Sequence, residues 1–549
     1  MKVVLEKKDA GDWCYRGEGA INLVLAYSGS SPTFSGKIIR VPKVPRNGSI
    51  KETERSVLSE HECSLWKDVA DIVTSPNKEV AEQMYVQCVM IPLLGSEFVD
   101  PGVKILVSRE FLELVERNVL SQRPGWRVSA ASVDCGADSV LLMSDHSVFP
   151  QGTSKGKPCL SVEIKPKWGF LPSSSFIADE NAIKKNVSRF KMHQVLKLQQ
   201  QKIQQLSEYD PLDLFSGSRE RIHKAFKALF ANPQNNLRVF LNSSLIYGGM
   251  GGGDQGTDSV KVEAFKDNLK SFLHGENGLH KRNFVNLVGE AILKSGVLDR
   301  LLEVQKLDKF DVEGAIHAYY DIVSQPCKIC KDSGEDRQLG KYSSLHSIPV
   351  DESLKIVRDY LIAATAKDCS LMISFRPRED DDQESHYRTI YLDATKQRLD
   401  VKAFFIDLDM KPLNNMEYYY ELDQKIVKSY KKMVKVERGA ANGGTIEGCY
   451  GDSSVGVMSN FIFAVWTLNF TTDCSFARLM MNSWTSLGWN TMPRIASSEN
   501  YSISGSSLLK VQAERDENNP PLKGITSIVL NPSTDTVTFT GEADPVYIV

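Results

Sequence analysis

The 549-residue chain has no apolar run of membrane-spanning length; the nearest, Phe461–Leu468, is far short of the roughly 20 residues a helix needs to cross a bilayer. Its start, Met1 to Asp9, turns charged too soon for a signal peptide, so no export is expected. There is no excess of one charge sign either: 66 Lys and Arg stand against 69 Asp and Glu, a net charge of −3. That excludes a global basic field, so nucleic acid is not an expected partner and any anion site must be a local patch. Cysteine is sparse, ten in all and scattered, and without an export signal these read as reduced thiols or metal ligands rather than disulfides. The expected compartment is cytosol, nucleus or both. Hydrophobic (42%) and charged (25%) contents are those of a soluble globular protein, and the length calls for two or three lobes rather than one core.

What is present centres on one stretch, Leu160 to Pro172 (LSVEIKPKWGFLP). Leu160, Val162 and Ile164 alternate as the buried face of a strand, which turns Ser161, Glu163 and Lys165 to the other face. Pro166 ends the strand, having no N–H for a ladder, and presents Lys167 a step beyond Lys165. Two ammonium groups beside a carboxylate suit polyphosphate chemistry, because lysines act as point charges on phosphate oxygens.

Upstream, Ile21–Tyr27 and Lys37–Val41 read as strands of a hairpin, preceded by the glycine-bearing segment Arg16 to Asn22. Glycine there permits close backbone approach to a phosphate, although the spacing is neither a Walker A loop nor a protein-kinase glycine loop. Leu141 to His146 reads as a strand leaving the N-terminal lobe. A helix is expected over about Asn181 to Leu206, with Arg189, His193 and Lys197 on one face. Another, about 217–230, leads to Pro233 to Phe240, where Asn235, Asn236 and Arg238 can donate to phosphate and hydroxyl oxygens. Gly248 to Gly253 lacks a following Lys-Ser/Thr and reads as a surface loop.

His317, Cys327, Cys330 and His346 form a His-x9-Cys-x2-Cys-x15-His array. Two thiolates and two imidazoles can complete a closed tetrahedron around a structural Zn²⁺; a chance Cys-x-x-Cys or a redox pair is the alternative. A DNA-binding finger is not expected because no basic helix accompanies the cluster. Asp351–Ala366 reads as a helix running into Asp368. Ala403–Met410 reads as a strand with Phe404, Ile406 and Leu408 on one face and Asp407 and Asp409 on the other, and such carboxylates suit Mg²⁺ bridged to nucleotide phosphates.

Over about residues 1–435 the chain resembles the plant-type inositol-pentakisphosphate 2-kinases. The residues that carry the resemblance are Val162 to Pro172, Tyr15-Arg16-Gly17-Glu18-Gly19, Arg189 to Gln194, Asp210 to Gly217, Ala366 to Ser370 and Ile406 to Pro412. The resemblance implies an α+β, two-lobed, distantly protein-kinase-like fold with a zinc-stabilised insertion. The N-lobe would be 1–150 and the C-lobe 151–435, followed by a divergent, disordered tail over 436–549. It implies a monomer that uses ATP, Mg²⁺ and a structural Zn²⁺ to phosphorylate the 2-hydroxyl of inositol 1,3,4,5,6-pentakisphosphate.

Catalysis would fall to Lys165, Asp368 and Asp407, with Asp407 holding Mg²⁺. ATP would meet Gly19, Ala20, Ile21 and Asn22 as a covering turn, Arg40 on the next strand, Ser144, Asp145 and His146 as a hinge, and Glu163 and Arg238. Substrate phosphates would meet Arg127, Lys167, Lys197, Asn235, Asn236, Lys411 and Tyr419. Asn414-Asn415 and Pro45-Arg46 depart from the family's basic residues at those places, so somewhat weaker substrate binding is expected. Two other readings are a non-catalytic inositol-polyphosphate sensor and a zinc-dependent interaction protein; Asp368 and Asp407 favour the enzyme, since binding alone needs no metal carboxylates.

Overall fold

The computed structural model describes residues 4–19, 21–46, 58–150, 157–249, 259–274, 280–332, 342–379, 386–441, 509–511, 527–531 and 536–540. The chain divides into two compact units, Met1–Met433 and Val434–Val549. The first unit is mixed α and β, with two sheets and many helices.

The first sheet contains β1 (Val4–Leu5), β2 (Trp13–Glu18), β3 (Asn22–Tyr27), β4 (Lys37–Pro45), β5 (Val103–Val107), β6 (Ala131–Val133) and β7 (Ser139–Ser144). Its order is β1-β5-β7-β4-β3-β2, with β6 added on β4. Leu23, Leu25, Ile39 and Val41 face a small core closed by the Arg109–Val119 helix, whose Phe111, Leu112 and Val115 are buried. The period-2 pattern of the strands meets a helical pattern of apolar residues across that core.

The second sheet contains β8 (Leu160–Ile164), β9 (Leu237–Leu241), β10 (Ser244–Tyr247), β11 (Ser370–Arg378), β12 (Arg388–Leu392) and β13 (Gln397–Ile406), in the order β10-β9-β8-β11-β13-β12. β8 is thus an interior strand, antiparallel to both β9 and β11. Leu160, Val162 and Ile164 are fully buried against the large core, as the alternation predicts, while Glu163 looks to the opposite face. The β9–β10 turn has Asn242 and Ser243 both at positive φ (48° and 66°), the conformation a two-residue hairpin needs to match strand twist. Leu58, Trp66, Tyr85, Met90 and Val99 contribute to the same large core as β8. The segment between β4 and β5 therefore packs with the second sheet.

Two expected elements are corrected. The Asn181–Leu206 helix is a 3-10 turn, Asp179–Lys185, followed by a separate helix, Arg189–Gln199, because Ser188 between them is extended (φ −60°, ψ 141°). The Ala403–Met410 strand ends at Ile406, because Asp407 has φ 61°. Alternation therefore breaks at Asp407, and Leu408 and Met410 are buried.

The second unit is described in part. β14 (Leu509–Val511), β15 (Ser527–Asn531) and β16 (Thr536–Thr540) form an antiparallel three-stranded sheet. Most of the 436–549 segment expected to be disordered lies outside the described residues, as do Ala20 and most of the Gly248–Gly253 loop.

Candidate active site

The turn after β8 is held by its carbonyls. Lys165 N donates to Asn236 O (2.9 Å), and Asn236 Nδ2 donates back to Lys165 O (3.0 Å). Tyr209 Oη donates to Pro166 O (2.8 Å), and Gln305 Nε2 donates to Lys167 O (2.9 Å). Three successive carbonyls are each taken by a different side chain. Lys167 needs such support, since its φ of 63° lies in the left-handed region that costs a non-glycine residue about 1–2 kcal/mol.

This turn meets two other chain ends. Asp368 is the last residue of the Val350–Asp368 helix, and Asp407 follows β13 directly. β11, paired to both β8 and β13, begins two residues after Asp368, so the topology brings all three ends to one edge of the sheet. There Lys167 Nζ lies 2.9 Å from Asp368 Oδ1, Lys411 Nζ 3.5 Å from Asp368 Oδ2, and Lys165 Nζ 3.8 Å from Asp407 Oδ2. Burial alone would raise the Asp368 pKa, but Lys167, Lys165 and Lys411 outweigh it and hold the carboxyl far below its ordinary range. Burial opposes charge on Lys165 too, and Asp368 with Asp407 keeps it protonated. Asp407, like Lys167, is a non-glycine residue at positive φ. Tyr85 Oη reaches Thr365 Oγ1 (3.2 Å), which donates to Asp409 O (3.0 Å), tying the Asp407–Asp409 segment to the helix that carries Asp368.

Across from these acids stands β4, whose Arg40 pairs with Asp409 (2.8 Å). Gly19 N donates to Asn22 O (2.9 Å), closing the turn that contains Ile21, which is 48% exposed. The base of that turn is fixed from beneath: Lys43 donates to Gly19 O (2.8 Å) and to Glu18, and Arg123 grips both Glu18 oxygens at 3.0 Å. Glu163 and Arg238 face each other on β8 and β9 and form an ion pair at 3.2 Å. In the Ser144–His146 segment, Ser144 N donates to Asp100, Asp145 N to Gly36 O, and His146 O accepts from Ser374, so three of its main-chain groups are already engaged. The His146 ring stacks on Phe404 at 3.9 Å.

The remaining candidates come from other elements. Lys197, on the Arg189–Gln199 helix, has its pKa pushed down to about 8 by burial and by Lys167 and Lys202. Such crowded cations favour a polyanion that would relieve them. Arg127 lies over the Trp126 ring (4.1 Å). Tyr419 is on the Met416–Ala441 helix beside Asn415, and its pKa is raised by burial. Asn235 is exposed, whereas Asn236 is buried with its amide spent on Lys165 O. Arg46 is engaged by Val128 O (2.7 Å) and Glu116 (3.3 Å).

Sequence reasoning missed Tyr209, Gln305 and Thr365, which act from distant segments with no local signal. It also missed Met372, which stands across from Glu163 on one side and Phe404 on the other, giving the sheet face an apolar floor beside the ion pair. An apolar residue inside a strand reads as core, so nothing in the sequence marked it.

The His/Cys array assembles as its spacing allows. His317 Nδ1 is 3.2 Å from His346 Nε2 and 3.3 Å from Cys327 Sγ; Cys330 Sγ is 3.5 and 3.4 Å from the same two nitrogens. His346 Nδ1 contacts Asp321 (2.8 Å), an outer carboxylate of the kind that fixes a metal-binding imidazole. Among the described residues no helix is long and apolar enough to cross a membrane.

Comparison with known proteins gives the family. Residues 15–425 match the model of the family described as inositol-pentakisphosphate 2-kinase. An inositol-pentakisphosphate 2-kinase of Arabidopsis thaliana is 56% identical over 443 residues, covering 80% of this chain and 98% of that one. One from Oryza sativa subsp. japonica is 51% identical over 432 residues (79% and 96%), and one from Danio rerio is 28% identical over 490 residues (78% and 94%). The match to residues 15–425 includes every residue of the site just described, and the chain belongs to the inositol-pentakisphosphate 2-kinase family.

Proposed function

We propose that this chain is a kinase that transfers the γ-phosphoryl group of ATP to the 2-hydroxyl of inositol 1,3,4,5,6-pentakisphosphate, giving inositol hexakisphosphate. The observation that carries the reading is the convergence of Lys165, Lys167 and Lys411 on Asp368 and Asp407 at one sheet edge, facing Arg40. A two-lobed, kinase-like division is inferred, with the first sheet and its Arg109–Val119 helix as the nucleotide-covering lobe; residues 58–99, placed before residue 150 in that lobe by sequence, belong instead with the substrate lobe, whose core they share.

The Gly19–Asn22 turn and Arg40 lie over the nucleotide phosphates, with the Ser144–His146 hinge at the adenine. Met372, Glu163 and Arg238 form the floor. The carboxylates of Asp407 and Asp409 suit Mg²⁺, which takes one or two carboxylates plus phosphate oxygens and would neutralise charge on the nucleotide. Lys165 stabilises charge on the transferring phosphoryl group. Arg127, Lys167, Lys197, Asn235, Lys411 and Tyr419 hold the inositol phosphates, and Asn236 contributes by holding Lys165. Lys167 and Lys411, paired with Asp368, quench its basicity. Substrate phosphates compete for those lysines, and as they are drawn off, Asp368 becomes basic enough to orient and accept the 2-hydroxyl proton.

The donor set His317, Cys327, Cys330 and His346 suits Zn²⁺. Metal–nitrogen bonds of about 2.0–2.1 Å and metal–sulfur bonds of about 2.3 Å place tetrahedral ligands roughly 3.3–3.8 Å apart. The observed edges of 3.2–3.5 Å come close to that. With four protein ligands the ion is structural. Cys327→Ser is expected to lose the metal and lower the thermal midpoint by roughly 10 °C or more, because structural zinc supplies on the order of 10 kcal/mol. Metal analysis beside a thermal melt checks this; a metal-free variant with an unchanged melt would remove zinc from the account.

The function is tested with purified full-length chain, Mg²⁺-ATP and inositol pentakisphosphate, the product position being read by NMR. Product at the 2-position, lost in Asp407→Ala, is the expected result. Tight substrate binding without transfer would instead establish the sensor.

A further inference from the structure

Gln305 ends the Val297–Gln305 helix and is fully buried. Its carboxamide is spent entirely on main chain. Oε1 accepts from Gly169 N (2.8 Å), while Nε2 donates to Lys167 O (2.9 Å) and to Ala366 O (3.1 Å). The first two partners belong to the turn that carries Lys167. The third lies two residues before Asp368. One side chain therefore spans the two backbones from which the 2.9 Å Lys167–Asp368 pair projects.

One side of that span is a strained turn. Lys167 is in the left-handed region, a strained state that persists only where its surroundings over-determine it. Gly169 is pressed on the Phe215 ring so closely that a Cβ there would lie 2.4 Å from it, which blocks movement on that side. Tyr209 fixes Pro166, and Lys367 of the acid's helix lies over the Trp168 ring (3.9 Å), but it is Gln305 that hydrogen-bonds both backbones.

We propose that Gln305 is a positioning residue for phosphoryl transfer, setting the separation of the two backbones that carry Lys167 and Asp368, so that the lysine on a substrate phosphate and the acid at the hydroxyl keep their spacing once their own pair opens; the proposal rests on the kinase reading above. A purely structural glutamine would affect the amount of folded protein. A positioning glutamine affects the rate per folded molecule, and does so according to how many hydrogen bonds it can donate.

Gln305→Glu separates the two. As a neutral acid, the introduced carboxyl accepts from Gly169 N and donates one hydrogen bond. Ionised, it donates none and faces two carbonyl oxygens. Burial and those carbonyls raise its pKa above the ordinary glutamate value. The variant is therefore competent at low pH and loses its clamp as pH rises. The ratio of variant to wild-type kcat is expected to fall at least tenfold between pH 5.5 and 8.5. Gln305→Met, with no donor at any pH, is expected to show a low ratio throughout.

Wild-type full-length chain is assayed first, with Mg²⁺-ATP and inositol pentakisphosphate. No transfer by a folded, substrate-binding wild type would defeat the kinase reading itself, and the proposal with it. With active wild type, a folded Gln305→Glu whose kcat ratio is constant with pH overturns the positioning role. So does a Gln305→Met within threefold of wild type. If neither variant folds, Gln305 is a structural residue and the proposal is rejected.

Discussion

Asp368→Asn is expected to lower kcat by about 10²–10⁴-fold, the range removed with a general base, while KM for inositol pentakisphosphate stays level or falls. Asparagine keeps the shape of the side chain but cannot take the proton of the attacking hydroxyl. It also releases Lys167 and Lys411 from a competing partner, so the substrate phosphates lose nothing in the ground state. The position itself argues for function. A carboxylate at the C-terminal end of a 19-residue helix faces the negative end of the helix dipole. Three lysines offset that penalty and keep Asp368 ionised. Steady-state kinetics with both substrates varied would decide the matter. A loss confined to KM would make Asp368 an organiser of the lysines and no base.

Lys184→Met is expected to destabilise the first unit by at least about 3–5 kcal/mol, the cost of breaking a buried ion pair from one side. Lys184 is 3% exposed and contacts Asp311 (2.5 Å), Glu313 (3.0 Å) and Asp423 (2.7 Å), all buried. Those acids come from the Asp311–Ile322 and Met416–Ala441 helices, so one ammonium joins both to its own 3-10 turn. Without it, the cations left to the three carboxylates among the described residues are Arg189, 3.5 Å from Asp423, and the more distant Lys367.

The pH dependence has a definite sign. Burial, reinforced by Asp423 and Asp308 and opposed by Lys184, pushes the Asp311 pKa up to about 7. A carboxyl raised on folding binds a proton in the native state that the unfolded chain has already lost. Its contribution is therefore most favourable below about pH 4 and is lost as pH rises toward 7. Removing Lys184 raises the Asp311 pKa further and takes away a cation that holds the Asp423 carboxyl low, so the deficit should be larger at pH 8 than at pH 5. Urea unfolding at the two pH values measures it; an equal deficit at both would show that the cluster's charge is not what holds the helices together.

How much of this could be read in advance depended on where each physical cause lies. The buried face of β8, the proline stop and the metal-type spacing of Cys327 and Cys330 are local, and all three were legible. Alternation failed at Asp407, because a single residue at φ 61° ends the strand without changing its hydrophobic pattern. It failed again at Asn181–Leu206, where helical spacing continues across Ser188 but the backbone does not.

By itself the sequence determined the family and the reaction it supports, because its motifs stand in the family's order, and it singled out the lysines and acids as candidates because polyphosphate chemistry calls for those residue types. Only the tertiary structure decided how they meet. Antiparallel pairing of β8, β11 and β13 brings residues 165, 368 and 407 to one edge, and no local preference encodes that register. It also decided which side chains hold the site in place. Gln305, Tyr209 and Thr365 act through backbone carbonyls and hydroxyls of remote segments, and a hydrogen bond between distant residues leaves no periodicity in either.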